Sequence, residues 1–317
     1  MSQEIEHAYR EMSVLRHSAN QNDSPVLPTP DQLAEEIPIA LVFNGISHAV
    51  MMATPLDLED FAVGFSLAEQ IINHASQIYD IECVNNDAVG QSANTVGVEV
   101  RMTIASECFV RLKEKRRSLI GKTGCGVCGL ESLNALDLNI PTLVPVLMPI
   151  VVPALMPGNA SASNGDVQPE TRLDKQALLK AFDSLKSKQP INAITGAMHA
   201  AAWVDMTGAI QLIREDVGRH NALDKLVGAL AIDAKLNSKG KSIRQPGFAI
   251  MSSRASYELV QKSARANIAI LATISAPTAL AVRLAEQAGM CLIGFVRQKN
   301  FVVYSHPERL LLTEHAE

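Results

Sequence analysis

Two cysteines, Cys125 and Cys128, lie two residues apart in GKTGCGVCGLES (121–132), among glycines at 121, 124, 126 and 129. A Cys-x-x-Cys pair can supply half of a zinc site, cycle as a redox dithiol, or carry sulfur itself. Zinc needs two more ligands at compatible spacing, yet Cys83 and Cys108 stand alone and no second Cys-x-x-Cys or His pair occurs. A thioredoxin-like dithiol belongs at a strand-to-helix junction with few glycines. A sulfur carrier must reach a donor on one surface and an acceptor on another, and a glycine-rich loop permits that excursion. Arg116, Arg117 and Lys122 would hold part of Cys125 as thiolate, the form that attacks a donor persulfide. The same basic run, RLKEKRR (111–117), also reads as a solvated helix face. On the residues alone the three chemistries stay open. Cys83, Cys108 and Cys291 are expected in the core.

A second constellation lies later in the chain. GFAIM (247–251) and NIAILATI (267–274) read as strands, each running into a small polar loop that opens a helix: Ser252-Ser253-Arg254 and Ser275-Ala276-Pro277. Such loops sit at the carboxyl ends of neighbouring strands, where open α/β sheets bind ligands, and helix-start N–H groups favour an anion such as phosphate. Ser253 and Ser275 read equally as ordinary N-caps. Asp216, Arg219, His220 and Asp224 cluster at another helix start, as a salt-bridged cap or a wall of a binding site. His199 and Trp203, on the preceding hairpin, read as partly buried and core.

The elements that must position these groups fall into two parts. Residues 1–30 are expected to be a disordered tail, and residues 31–137 an α+β domain that ends in the Cys-x-x-Cys loop. In that domain EIPIALVFNGISHAVMMATP reads as a hairpin about Asn44-Gly45. Thr54-Pro55-Leu56-Asp57 reads as a helix start, with a hydroxyl cap and proline at the first position. NTVGVEVRMTI reads as a further strand. Residues 138–172 open on an apolar run with prolines at 141, 145, 149, 153 and 157. Each would cost a helix roughly 3 kcal/mol, so the run is an extended linker and not a membrane span. Residues 173–317 read as helix, hairpin, helix, strand, helix, strand, helix, strand, a three-layer α/β unit.

Composition excludes several classes. The net charge of −5 argues against a nucleic-acid binder, and an aliphatic 47% hydrophobic content with 4% aromatics suits an α/β fold. The polar N-terminal stretch lacks a signal-peptide core, and the five scattered cysteines suit a reducing compartment, so a cytoplasmic location is expected.

The second part resembles the cytidine-deaminase fold, which places His-x-Glu at one helix start and Pro-Cys-x-x-Cys at the next. Here the first place holds His220-Asn221-Ala222 and the second Ser252-Ser253-Arg254-Ala255-Ser256. The catalytic Glu and both thiolates are missing, so deamination and zinc are not expected. A closer resemblance spans nearly the whole chain beyond the tail. KTGCGVCGLES, TGAMHAAA, REDVGRHNALDKL, SSRASYELVQK and GFVRQKNFVVYSHPERL are similar, in order, to the formate dehydrogenase accessory protein family, FdhD.

The resemblance implies a deaminase-like domain without its zinc and a sulfurtransferase acting with two partners, a cysteine desulfurase and the catalytic subunit of formate dehydrogenase. It implies that Cys125 carries a persulfide and that Cys128 assists. The sulfur would pass to the molybdenum cofactor, bis-molybdopterin guanine dinucleotide. The turn Phe295, Val296, Arg297, Gln298, Lys299 and Asn300 would hold that cofactor together with Ser253 and Ser275. A homodimer is expected, with neither membrane nor nucleic acid as partner. The alternative is a chaperone that delivers the cofactor without sulfur chemistry.

Overall fold

The computed structural model describes residues 5–17, 27–86, 97–116, 140–143, 172–236 and 246–311. Its first feature corrects an expectation. Strand β1 (Tyr9–Leu15) pairs antiparallel with β2 (Pro28–Ala34), so residues 9–15 and 28–30 of the supposed disordered tail belong to a two-stranded ribbon. Polar composition misleads here because most of the ribbon's side chains face solvent, while the backbone ladder supplies its own hydrogen bonds. Ala8, at the ribbon's root, is buried against Ile191 and Met198.

The hairpin about Asn44-Gly45 forms as read, with β3 (Ile37–Phe43) and β4 (Ile46–Ala53). Both turn residues have positive φ, 47° and 79°, as the turn demands. Strand β5 (Ile78–Asn86) was not legible in the sequence; it pairs with β6 (Gly97–Ile104), giving a sheet of order β4-β3-β6-β5. Helix α1 (Leu58–Ala68) buries Phe61 and Phe65 against that sheet, and α2 (Ser106–Arg116) adds Cys108 and Leu112. Cys83, expected in the core, is instead exposed, because β5 is an edge strand.

The start of α1 differs from its reading. The helix begins at Leu58 with Asp57 at its cap, and Thr54 caps nothing there. The Thr54 N–H donates to Asp216 (3.0 Å), its hydroxyl accepts from the Val217 N–H (3.3 Å), and its carbonyl accepts from Lys225 (3.0 Å). The residue's polarity serves a contact between the two parts.

The second part begins with β7 (Leu173–Asp174), α3 (Lys175–Leu185) and α4 (Pro190–Thr195). The antiparallel pair β8 (His199–Asp205) and β9 (Ile210–Asp216) turns at Asp205–Gly208, as expected. Then follow α5 (Arg219–Leu236), β10 (Gly247–Met251), α6 (Tyr257–Arg265), β11 (Ile270–Thr273), α7 (Ala279–Ala288), β12 (Cys291–Arg297), β13 (Asn300–Ser305) and β14 (Leu310–Leu311). The sheet order is β13-β12-β11-β10-β8-β9, with β10, β11 and β12 mutually parallel. Helix α3 covers one face, and α5, α6 and α7 cover the other. The fold is mixed α/β. Of the expected linker, residues 140–143 are described: Leu143 is buried in the α5–α7 core and donates its N–H to the Ala288 carbonyl (2.8 Å).

Helix α5 lies between the two sheets and is buried from Asn221 to Ala231, which hides its polar residues as well. It crosses α1 with backbones in contact. A Cβ on Gly64 would lie 1.7 Å from the Asp224 carbonyl oxygen, and one on Gly228 would lie 1.8 Å from that of Asp60. Asp224 itself meets Lys262 of α6 at 2.5 Å, yet burial pushes its carboxyl from 3.8 up to about 6 despite the ammonium. The folded chain therefore keeps a proton that the unfolded chain releases between those values, so this group's contribution to stability falls as pH rises through that window. Asp224→Asn removes the effect. Melting curves should show the variant gaining on the parent as pH rises from about 4 to about 6; a constant offset would contradict the assignment.

Candidate functional site at the carboxyl edge of the six-stranded sheet

Because β10, β11 and β12 run parallel, their carboxyl ends reach one edge, as the sequence reading required. The first two loops are tied together. Ile274 N–H donates to the Met251 carbonyl (3.2 Å), Thr278 N–H to that of Ala255 (3.0 Å), and Ala255 bridges Pro277. Neither Ser253 nor Ser275 is an N-cap, because α6 and α7 begin several residues later, with Ser256 and Thr278 at their caps. The Ser253 hydroxyl donates to the Arg254 carbonyl (3.0 Å), and the side chain is nearly buried. Both serines belong to loops at the edge.

The third loop is the turn from β12 to β13. Arg297 pairs with Asn300 across Gln298 and Lys299, and a register shift between Gly294 and Arg297 sets Phe295 and Val296 against one residue, Phe301. Such a bulge re-aims side chains. Val296 is buried, whereas Phe295 is 44% exposed. Phe295 and Gln298 adopt φ of 53° and 54°, a region costly for residues with a Cβ and found where structure over-determines the backbone. Arg297 joins this turn to the β11 loop: its Nε donates to the Ile274 carbonyl (3.1 Å) and an Nη lies 3.5 Å from Ser275 Oγ. Ser275 and Arg297 are thus brought together, with Ser253 one loop away.

Charge on these loops has one sign. SSRAS, ISAPT and GFVRQKN carry Arg254, Arg297 and Lys299 and no carboxylate, and all three cations are exposed. The Arg guanidiniums can grip a phosphate with two prongs, and Lys299 adds a point charge.

Beside them stands His220, the second residue of α5. Its Nε2 lies 2.8 Å from Glu258 and 3.2 Å from Ser256 Oγ. His199 opens β8 next to the β10 loop, where Ala200 N–H donates to Ser252 Oγ (2.8 Å). Burial, then the Arg219 charge, holds the His199 imidazole below its usual range, against the pull of Asp216.

The polar cluster singled out at 216–224 divides. Asp216 and Lys225 form a fully buried ion pair at 2.8 Å, and Asp216 also accepts from Thr54, Gly218 and Asn221. This pair fixes the start of α5 against the loop before α1, and so places His220 and Arg219. Sequence reasoning missed Lys225, because a lysine in a helix gives no sign of burial by itself; the available signal was the uninterrupted apolar run LVGALAI (226–232) that follows it. Ser256 and Glu258 were missed as partners of His220. Cys125 and Cys128 lie outside the described residues.

The edge sets three exposed cations and no carboxylate on the loops of a mixed α/β fold, and the same chain carries a thiol pair in its sequence at Cys125 and Cys128. The FdhD/NarQ family model matches residues 34–311. The chain is 49% identical over 282 residues to the sulfur carrier protein FdhD of Cupriavidus necator, covering 89% of this chain and 84% of that one. It is 47% identical over 297 residues to the sulfur carrier protein FdhD of Acinetobacter baylyi, covering 94% and 93%. The crystal structure of a protein from Desulfotalea psychrophila, assigned as a formate dehydrogenase accessory protein, superposes with a TM-score of 0.63 over 96% of this chain and 98% of that one. At 20% identity that likeness concerns the fold. The chain belongs to the FdhD/NarQ family.

Proposed function

We propose that this protein is a sulfur carrier for the maturation of formate dehydrogenase. It accepts sulfur from a cysteine desulfurase as a persulfide on Cys125, with Cys128 assisting. It passes that sulfur to bis-molybdopterin guanine dinucleotide, its substrate, held at the edge formed by Ser253, Ser275 and Phe295–Asn300. The observation that carries the reading is the near-full-length identity to proteins named as sulfur carriers, with a Cys-x-x-Cys present in this chain. The cation-bearing, carboxylate-free loops support the second half, because the substrate's pyrophosphates need that charge.

The expected result at the edge is specific. Arg297→Ala with Lys299→Ala should weaken binding of GDP, a fragment of the cofactor, each lost charged hydrogen bond costing about 1.5–3 kcal/mol. Calorimetric titration measures it. The variant should still accept sulfur at Cys125, and unchanged GDP affinity would move the site elsewhere.

The sheet order β9-β8-β10-β11-β12 also supports the deaminase-like description of this domain. On that comparison His220, Ser253 and Ser256 stand at the places of the metal ligands. A hydroxyl bonded to His220 is a poor substitute for a zinc thiolate. Elemental analysis of the purified protein should find no stoichiometric zinc, and one tightly held zinc per chain would revive the metal reading of Cys125 and Cys128.

A further inference from the structure

A cavity of about 340 Å³ opens on the α5 side of β9, away from the edge described above. Its walls are Trp203 and Leu212 from the hairpin and Leu230, Ile232 and Leu236 from the last turns of α5. Trp203 lies mid-strand, yet its Nε1–H is buried and has no hydrogen-bond partner among the described residues. A buried donor left unpaired costs free energy that an incoming acceptor recovers. The polar part of the lining is Asp60 of α1, Gln211 and Arg214 of β9, and Asp233 of α5, and Ala229 of α5 completes the walls. Arg214 lies 2.7 Å from Asp60 and 3.5 Å from Asp57, so two carboxylates share one guanidinium and leave a negative excess. Burial holds the Asp60 carboxyl above its usual range in spite of Arg214, which a second cation would relieve.

The cavity adjoins a sheet edge. Among the described residues β9 pairs with β8 alone. Its last two residues are committed elsewhere: Glu215 accepts from the Ile191 and Asn192 N–H groups, and Asp216 holds Lys225. Among the described residues Ile210 to Leu212, half-buried apart from the exposed Gln211, remain as a template for another strand, while the Ile213 carbonyl accepts from Arg214 (2.9 Å). An edge with a side-chain pocket beneath it is the arrangement by which domains add an extended peptide, the backbone giving affinity and the pocket specificity.

We propose that an extended strand of a partner protein docks along β9 and places one long basic side chain in this cavity. The aliphatic stem packs on Trp203, Leu212 and Leu230, and the cationic head meets Asp60. Charge complementarity selects a basic residue over an acidic one.

The chain's single tryptophan makes the test direct. The acetylated, amidated pentapeptide VTRTV, titrated into the full-length protein, should shift Trp203 emission saturably. The VTETV peptide should bind at least about tenfold more weakly, since a like charge meets the carboxylates. Ala229→Leu, which fills the cavity, and Leu236→Lys, at an exposed rim position, should each weaken VTRTV by a similar factor. Leu236 is 75% exposed, so its replacement leaves the fold intact. Absence of saturable binding, equal affinity for the two peptides, or insensitivity to Leu236→Lys would overturn the proposal. So would butylguanidine binding as tightly as the peptide, because the strand would then contribute nothing.

Discussion

Cys125→Ala should abolish formate dehydrogenase activity in cells that depend on this protein for maturation, with the protein itself still folded and abundant. A carrier mechanism passes every sulfur atom through one thiol, and no neighbouring hydroxyl or amide can take its place, so the loss should be complete and not graded. The cationic residues nearby in sequence, Arg116, Arg117 and Lys122, would raise the thiolate fraction that attacks the donor persulfide. Cys128→Ala should leave partial activity, since a thiol that resolves or shields the persulfide affects its lifetime and not its formation. Full activity in the Cys125 variant would end the carrier account. Equal loss in both variants would show that the two thiols act as a unit.

Gly228→Ala is expected to produce a large loss of stability. Within a helix, alanine normally gains about 0.5–1 kcal/mol over glycine. Here the new Cβ would lie 1.8 Å from the Asp60 carbonyl oxygen and 2.8 Å from the Gly64 nitrogen. Both are backbone atoms, which cannot swing aside as a side chain would, so the helices must separate. Separation of α1 from α5 pulls apart the core beneath α1 and strains the buried Asp216–Lys225–Thr54 network. A cost of about 3 kcal/mol or more follows from overpacking at this severity, read as a shift in the urea midpoint. Gly64→Ala should behave alike. A stabilised variant would mean that the helices do not cross in backbone contact.

The same crossing shows where the sequence was legible and where it was not. Local signals read well: Asn44-Gly45, the Asp205–Gly208 turn, and the alternation of parallel strands with helices needed no long-range information. The edge site followed from topology, once β12 proved parallel to β11 and brought Arg297 to Ser275. What was hidden depends on partners far away in the chain. Gly64 and Gly228 each look like a weak spot in a helix, and only the other explains them. Thr54 reads as a cap because Pro55 follows, while its partners lie at 216, 217 and 225. Lys225 was missed because a single helix cannot show that it lies between two sheets. Ser253 and Ser275 read as caps because a strand followed by serine commonly opens a helix, yet here the loops run on before the helices start. The β1–β2 ribbon escaped for the opposite reason, since an exposed ladder needs no apolar pattern.

The central claim is that Cys125 carries sulfur covalently, and the intact mass of the protein tests it most directly. After incubation with a cysteine desulfurase and free cysteine, under non-reducing conditions, the account predicts a gain of one sulfur atom. Peptide mapping should place it on Cys125, a thiol reductant should remove it, and Cys125→Ala should not acquire it. An unchanged mass, or sulfur found instead on the exposed Cys83, would contradict the account and leave a chaperone that binds the cofactor without sulfur chemistry.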